Sequence, residues 1–350
     1  MTKRRDFLRG AGLAAAGAAG ASALAAPAIV RAQSPITWRL QTYAGPALAE
    51  HVIKPSIDAF NAAANGEMTI ELYFSDQLVP QGELFRAVQR GTIDACQSDD
   101  DSMGSPADVA VFGAYFPFAS RFSLDVPALF ENYGLREIWE ESYAGTGVKW
   151  LGAGAWDPCN LATRQPIRSL ADMQGKRLFT FPTGGRFLQR FGVVPVTLPW
   201  EDIEVALQTG ELDGIAWCGA TEIYTVGWDA VTDYYLTNNI SGAWIGSYFA
   251  NEEKWNALPP HLQVLFKLAM DSSNMHRQQW YWWGEAHYRT SGDKLELTSI
   301  PDEEWHEVEL AAQAFWDEIA AQGARQAQVV QIFKDYAAIM EKAGLPYRST

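Results

Sequence analysis

Glu204-Val205-Ala206-Leu207-Gln208-Thr209-Gly210-Glu211-Leu212-Asp213-Gly214 reads as a helix, a glycine suited to the left-handed cap, and a strand entered through Asp. The same order stands in Glu83-Leu84-Phe85-Arg86-Ala87-Val88-Gln89-Arg90-Gly91-Thr92-Ile93-Asp94-Ala95. Two such units are either two ordinary helix-to-strand connections or one unit in each lobe of a two-lobed molecule. Outward from them the chain alternates. Ile36–Thr42 alternates apolar and polar residues, as a half-buried strand does, and Met68–Phe74 follows suit. Between them, residues 46–64 have helical periodicity, with Pro55 placed to kink the helix or split it. Residues 92–97, 147–151, 177–181 and 214–218 read as further strands, and 200–209 as a helix. From Pro259 to Gly344 the pattern is mainly helical, with a strand-like piece at Leu295–Ile300. Strand–helix alternation predicts an α/β protein with mostly parallel sheet. In such sheets ligands bind in the crevice at the carboxyl ends of the strands.

The first residues are a separate object. Lys3, Arg4, Arg5 and Arg9 precede an apolar Ala/Gly-rich run from Ala11 to Ala26, and Val30-Arg31-Ala32 offers a cleavage point after Ala32. That is the layout of a secretory signal over residues 1–32. The pair Arg4-Arg5, followed by Asp6-Phe7-Leu8, resembles a twin-arginine export signal, with Lys3 in place of the usual Ser or Thr. A membrane anchor is the alternative, and the run is short and Gly-rich for one. The segment holds five basic residues and one acid, so its removal takes the net charge from −15 to −19. An acidic chain of this kind is not built to neutralise phosphates, so nucleic acid is not an expected partner. Cys96, Cys159 and Cys218 match no zinc spacing. Cys159 with Cys218 is the preferred disulfide pair, and three buried small hydrophobes is the other reading. Fourteen Trp are more than a core needs, and aromatic area is often used in binding pockets.

The chain resembles the periplasmic solute-binding proteins of tripartite ATP-independent periplasmic (TRAP) transporters. The residues that carry this are 206–214 within the opening segment, Arg164-Gln-Pro-Ile-Arg-Ser-Leu-Ala-Asp-Met-Gln-Gly175, Gly192-Val-Val-Pro-Val196, 87–94, and Tyr234-Tyr-Leu-Thr-Asn-Asn239. The likeness extends over roughly residues 36 to 340. It implies two α/β lobes with a cleft between them, joined by crossing strands and a long helix in a helical C-terminal part. Lobe I is expected over 33–153 with part of 240–300 returning to it, lobe II over 154–239, and a helical part over 259–345 packing across both. The implied function is capture of a small organic ligand, usually an organic acid, by lobe closure, and its delivery to a membrane permease. The implied location is the periplasm, no cofactor is implied, and a homodimer is possible within the resemblance.

Two positions depart from the family. Where the family places an Arg that grips the ligand carboxylate, this chain has Phe179, and where one branch places a metal-binding Glu it has Ala216, followed by Trp217. The carboxylate clamp and the metal site are therefore not carried over. Trp156, Phe179, Trp217 and Trp244 lie on segments that face the cleft in the family. They could wall an aromatic or extended apolar ligand, cage a cation through their π faces, or be ordinary core. Asp157 suits a cationic or hydroxylated ligand, and Asn239 a carboxyl or hydroxyl group. Arg186, after Gly184-Gly185 at a helix start, is a candidate anion partner or a solvated surface residue. Asp99-Asp100-Asp101 is a candidate cation site or a solvated loop.

Enzyme readings find little support. The five His form no HExxH, and there is no GxSxG elbow, P-loop or GxGxxG. A secreted enzyme acting on carbohydrate through paired carboxylates is one alternative, and a ligand-binding lobe of a membrane sensor the other.

Overall fold

Alternation makes Ile36–Thr42 a strand, β1, that turns Trp38 and Leu40 inward and leaves Thr37 and Arg39 exposed. The computed structural model describes residues 34–344, so the expected export segment lies outside the described residues. The expected helix over 46–64 is two helices, Pro46–Val52 and Lys54–Ala63, broken at Ile53 (φ −138°). Pro55 falls in the first turn of the second, where its missing N–H costs nothing. The strands that follow are β2 Met68–Tyr73, β3 Ala95–Ser98, β4 Val148–Ala155, β5 Cys159–Thr163, β6 Arg177–Phe179, β7 Val194–Val196, β8 Gly214–Ala216, β9 Tyr234–Ser241, β10 Ile245–Asn251 and β11 Glu296–Thr298.

These strands form two sheets, ordered β2-β1-β3-β10-β4 and β11-β9-β5-β8-β6-β7. The molecule is thus a two-lobed α/β protein with helices at its C-terminal end. The sheets are mixed: five strand pairs are parallel, so parallel pairing leads as expected, and four are antiparallel. Every antiparallel pair involves β5 or β10. The reason is that the chain passes directly from strand to strand between the sheets twice, outward through 156–158 and back through 242–244, before the long helix leads it over again to β11. The two crossings run side by side in opposite directions: Trp156 N–H donates to the Trp244 carbonyl (3.1 Å), and Trp244 N–H to the Asp157 carbonyl (3.2 Å).

The paired helix–glycine–strand units fall one in each sheet. Helices Leu84–Gln89 and Ile203–Thr209 end at Gly91 (φ +69°) and Gly210 (φ +78°), both left-handed. The Asp that follows has a shared task. Asp94 accepts from the backbone N–H of Arg39 (2.6 Å), and Asp213 from that of Arg177 (2.9 Å), so each pins its loop to the neighbouring strand.

The helix Pro260–Ser291 packs against elements of both lobes, including β4 and helices Lys54–Ala63 and Ala220–Val226. It buries Phe266, Met270, Ser273, Arg277, Tyr281 and Gly284 along one stripe. A Cβ on Gly284 would stand 2.4 Å from Thr221 Oγ1, so only glycine admits this approach to helix Ala220–Val226. All three cysteines are free and buried, which answers to the second reading above and not to a Cys159–Cys218 bond.

Candidate functional site

Residues that end strands or form the crossings converge between the two sheets. Tyr43 follows β1, Phe181 lies just beyond β6, Trp217 follows β8, and Trp244 belongs to the return crossing. With Tyr115 they make a closed ring of aromatic neighbours. The centroid distances around it are 6.2 Å (Tyr43–Trp217), 4.7 Å (Trp217–Phe181), 5.5 Å (Phe181–Tyr115), 6.2 Å (Tyr115–Trp244) and 5.0 Å (Trp244–Tyr43). Phe179 stacks behind Trp217 at 5.3 Å, and Trp156 lies against Trp244 at 4.8 Å. Gly246 makes the second contact possible, since a Cβ there would come within 2.7 Å of both indoles.

Two carboxyl groups sit with these rings. Asp157, fully buried, accepts from Trp244 Nε1 (2.7 Å) and Tyr115 hydroxyl (3.0 Å) at Oδ1, and from Gly219 N–H (2.8 Å) at Oδ2. Glu222, also fully buried, accepts the Tyr281 hydroxyl at Oε1, while its Oε2 has no hydrogen-bond partner. Burial pushes both carboxyls up, Glu222 to about 8, because a charge in a low-dielectric site loses its hydration; Glu222 further raises Asp157, and Glu285 further raises Glu222.

The facing cation is Arg277, which is completely buried. Its guanidinium lies over the Trp156 ring, 3.3 Å from the centroid. Its N–H groups go to neutral acceptors: the Ala155 carbonyl (3.2 Å), the Val52 carbonyl (3.2 Å), Ser273 Oγ (3.1 Å) and Asn274 Oδ1. Gly154 leaves room for it, for a Cβ there would stand 2.8 Å from Nη2. Next to this group, Glu285 is paired with Arg289 (3.1 Å) and adds no net charge. The site therefore holds two acids against one guanidinium that hydrogen-bonds to neither.

Asp157, Cys218 and Glu222 offer ligand atoms within 4.8 Å of one another, the one such group among the described residues. They suit a metal ion poorly. Asp157 is already bonded by three donors, and burial pushes the Cys218 thiol well up, away from the thiolate a metal needs.

Of the residues singled out in the sequence, Trp156, Asp157, Phe179, Trp217 and Trp244 are brought together here. Arg186 and Asn239 are not. Arg186 is exposed, with its guanidinium over Phe315 (5.7 Å) and its charge acting on Asp101. The helix start it was read with is already occupied, since Asp101 accepts the Thr183 N–H (2.8 Å). Asn239 is half-buried on the wall of an open cavity of about 340 Å³ that also touches Trp156, Tyr281 and Glu285. Asp99 and Asp100 are fully buried and not a solvated loop. Asp99 accepts Ser102 N–H (2.6 Å) and Asp100 the Tyr143 hydroxyl (2.5 Å). Burial pushes both up to about 7, and Asp101 to about 6. Tyr43, Tyr115, Phe181, Glu222, Arg277 and Tyr281 were not singled out. The rule that ligands meet the carboxyl ends of strands points to Tyr43 and Phe181, each just after a strand legible in the sequence.

Residues 53–323 match the family model of bacterial extracellular solute-binding proteins, family 7. The chain belongs to this family. A TRAP periplasmic solute-binding protein from Chromohalobacter salexigens, solved with bound (S)-(+)-2-amino-1-propanol, is 70% identical, with TM-score 0.89 over 90% of this chain and 99% of that one. A monocarboxylate 2-oxoacid-binding periplasmic protein of a Nostoc species is 25% identical over 287 residues, 78% of this chain and 76% of the relative. An ectoine-binding periplasmic protein of Halomonas elongata is 24% identical over 221 residues, 61% and 62% of the two chains. This family 7 member is thus a solute receptor of the TRAP kind. No helix among the described residues is long and apolar enough to cross a membrane.

Proposed function

We propose that this receptor captures a small primary amine and holds its ammonium group inside the aromatic ring, against Asp157 and Glu222. The observation that carries this is the charge count: two fully buried carboxyls faced by one guanidinium whose donors are spent on neutral acceptors. An unpaired buried charge costs several kcal/mol, on the order of 3–5, so such a pocket favours a ligand that brings one positive charge. Aromatic faces add about 0.5–2 kcal/mol each for a desolvated cation. The amino alcohol bound by the Chromohalobacter protein is of this class, at 70% identity.

An organic acid is the second reading, favoured by the 2-oxoacid-binding name of the Nostoc relative. A carboxylate here would need a donor to replace the family Arg, whose position is Phe179. A ligand with both groups would place its ammonium as above and its carboxylate elsewhere.

The ligand is captured unchanged, with no chemistry performed. It contacts both lobes only when they are closed, so binding shifts the population toward closure. Asp101 and Thr183 N–H, from the two lobes, supply one polar contact of that closed form. The closed surface is then read by permease subunits in the membrane. Residues 1–32 direct export to the periplasm by the twin-arginine route.

Thermal melts of the protein with small amines and with organic acids test the ligand class. Amino alcohols are expected to raise the melting temperature with the logarithm of ligand excess over Kd. A rise with 2-oxoacids alone would sink the amine reading.

A further inference from the structure

The two carboxyls of the site differ in how the protein treats them. Asp157 receives three hydrogen bonds, one of them from backbone, on both of its oxygens. Glu222 receives one bond of full geometry, from Tyr281; the Tyr43 hydroxyl lies near it, and its second oxygen has no such bond. Three donors stabilise an ionised carboxylate, while a bare buried oxygen is the natural seat of a proton. Resting on the amine reading, we infer that Glu222 carries a proton in the empty receptor and gives it up to solvent when the ammonium arrives, so that capture exchanges one cation for another.

The surroundings of Glu222 agree. Facing it are Asp157 from the outward crossing, Tyr43 from the end of β1, Cys218 from the end of β8, and Arg277, Tyr281 and Glu285 from the long helix. Arg277 is the one permanent cation among them, and Glu285 is already balanced by Arg289. One guanidinium balances one carboxylate, so Glu222 and Asp157 cannot both be ionised without a counter-charge. Burial pushes both carboxyls up, Glu222 to about 8 and Asp157 well above its usual range, and it is the three donors at Asp157 that favour its ionised form over that of Glu222. The balance is complete on either route. An ammonium enters and a proton leaves Glu222 for water, or a neutral amine enters after shedding its proton and takes that of Glu222. Both release one proton per ligand relative to ammonium in solution.

Calorimetric titration with (S)-2-amino-1-propanol, in buffers of different ionisation enthalpy near pH ~7, reads that proton directly. Release approaching about one proton per ligand is expected, with affinity rising up to about tenfold per pH unit below the range where Glu222 ionises. Glu222→Gln is expected to abolish the release and flatten the pH profile while binding survives more weakly. Binding by the unmodified protein without proton release overturns the inference and leaves the amine reading standing. Unchanged release by Glu222→Gln moves the proton to Asp157 and overturns the assignment. Failure of the amine to bind at all overturns the ligand class and the inference with it. If Glu222→Gln does not fold, the buffer series on the unmodified protein still decides.

Discussion

Among the described residues acids are completely buried in two places, and they differ in their surroundings. Asp99 and Asp100, at the end of β3, are as buried as Asp157 and Glu222. They are answered mainly by a loop N–H and the Tyr143 hydroxyl. Asp101, beside them, reaches across to Thr183 on the other lobe. Asp157 and Glu222 lie where both crossings and the long helix meet, bonded by the Trp244 indole and by the Tyr115 and Tyr281 hydroxyls. Equal burial therefore does not make equal sites. On the proposed reading, the rings and the acid that Arg277 leaves unbalanced suit one pair to a cation, while the other cluster lies at the lobe boundary.

The sharpest way to break this comparison is Asp157→Ala. It strips Trp244 Nε1, the Tyr115 hydroxyl and Gly219 N–H of their shared acceptor, and is expected to abolish amine binding and lower stability by about 3–5 kcal/mol. Calorimetry with the amine and a denaturant melt read both.

A pH series of melts on the ligand-free protein comes next. A carboxyl raised by folding contributes stability that is full below its unfolded value and lost as pH rises through its folded one. Stability is thus expected to fall by a few kcal/mol between about pH 4 and 8, reflecting Asp99 and Asp100 at about 7 and Glu222 at about 8. Asp99→Asn should flatten the lower part and leave amine affinity unchanged. A loss of affinity in that variant would erase the distinction between the two clusters.

Gly154→Ala should displace Asn274 and, with it, Arg277 from Trp156, costing about 1–3 kcal/mol of stability and weakening the amine. Asp101→Ala should weaken ligand only about two- to tenfold, through closure, because it removes one hydrogen bond worth about 0.5–1.5 kcal/mol. Titration of either variant beside the unmodified protein provides the check. The smallest effect is expected for Arg186→Ala, with affinity within about twofold.

Much of the fold was legible because its signals are local. Alternation marked β1 and β2, and left-handed glycines marked Gly91 and Gly210. The return strand β10 is buried at all seven positions, so alternation said nothing about it, and the crossing strands came into view only through the family resemblance. Within the site, Trp156, Asp157, Phe179, Trp217 and Trp244 stood out through the family resemblance. Glu222 on a seven-residue helix and Arg277 in the middle of a long one carry no local sign of burial. A charged residue on a helix reads as solvated unless the partner surface is known, and for Arg277 that surface comes from a strand and a helix more than 100 residues away in sequence.

The helix Pro260–Ser291 sets a phase as well as a brace. Arg277, Tyr281 and Glu285 follow one another at intervals of four, so all three side chains point along one edge toward the carboxyls. One residue inserted ahead of Arg277 would turn everything beyond it by about 100°. That would swing the guanidinium, the Glu222 hydroxyl donor and the Thr221 partner out of the site together, while each lobe kept its own sheet. For this protein, the spacing along one helix is a more exacting requirement than the identity of most residues on it.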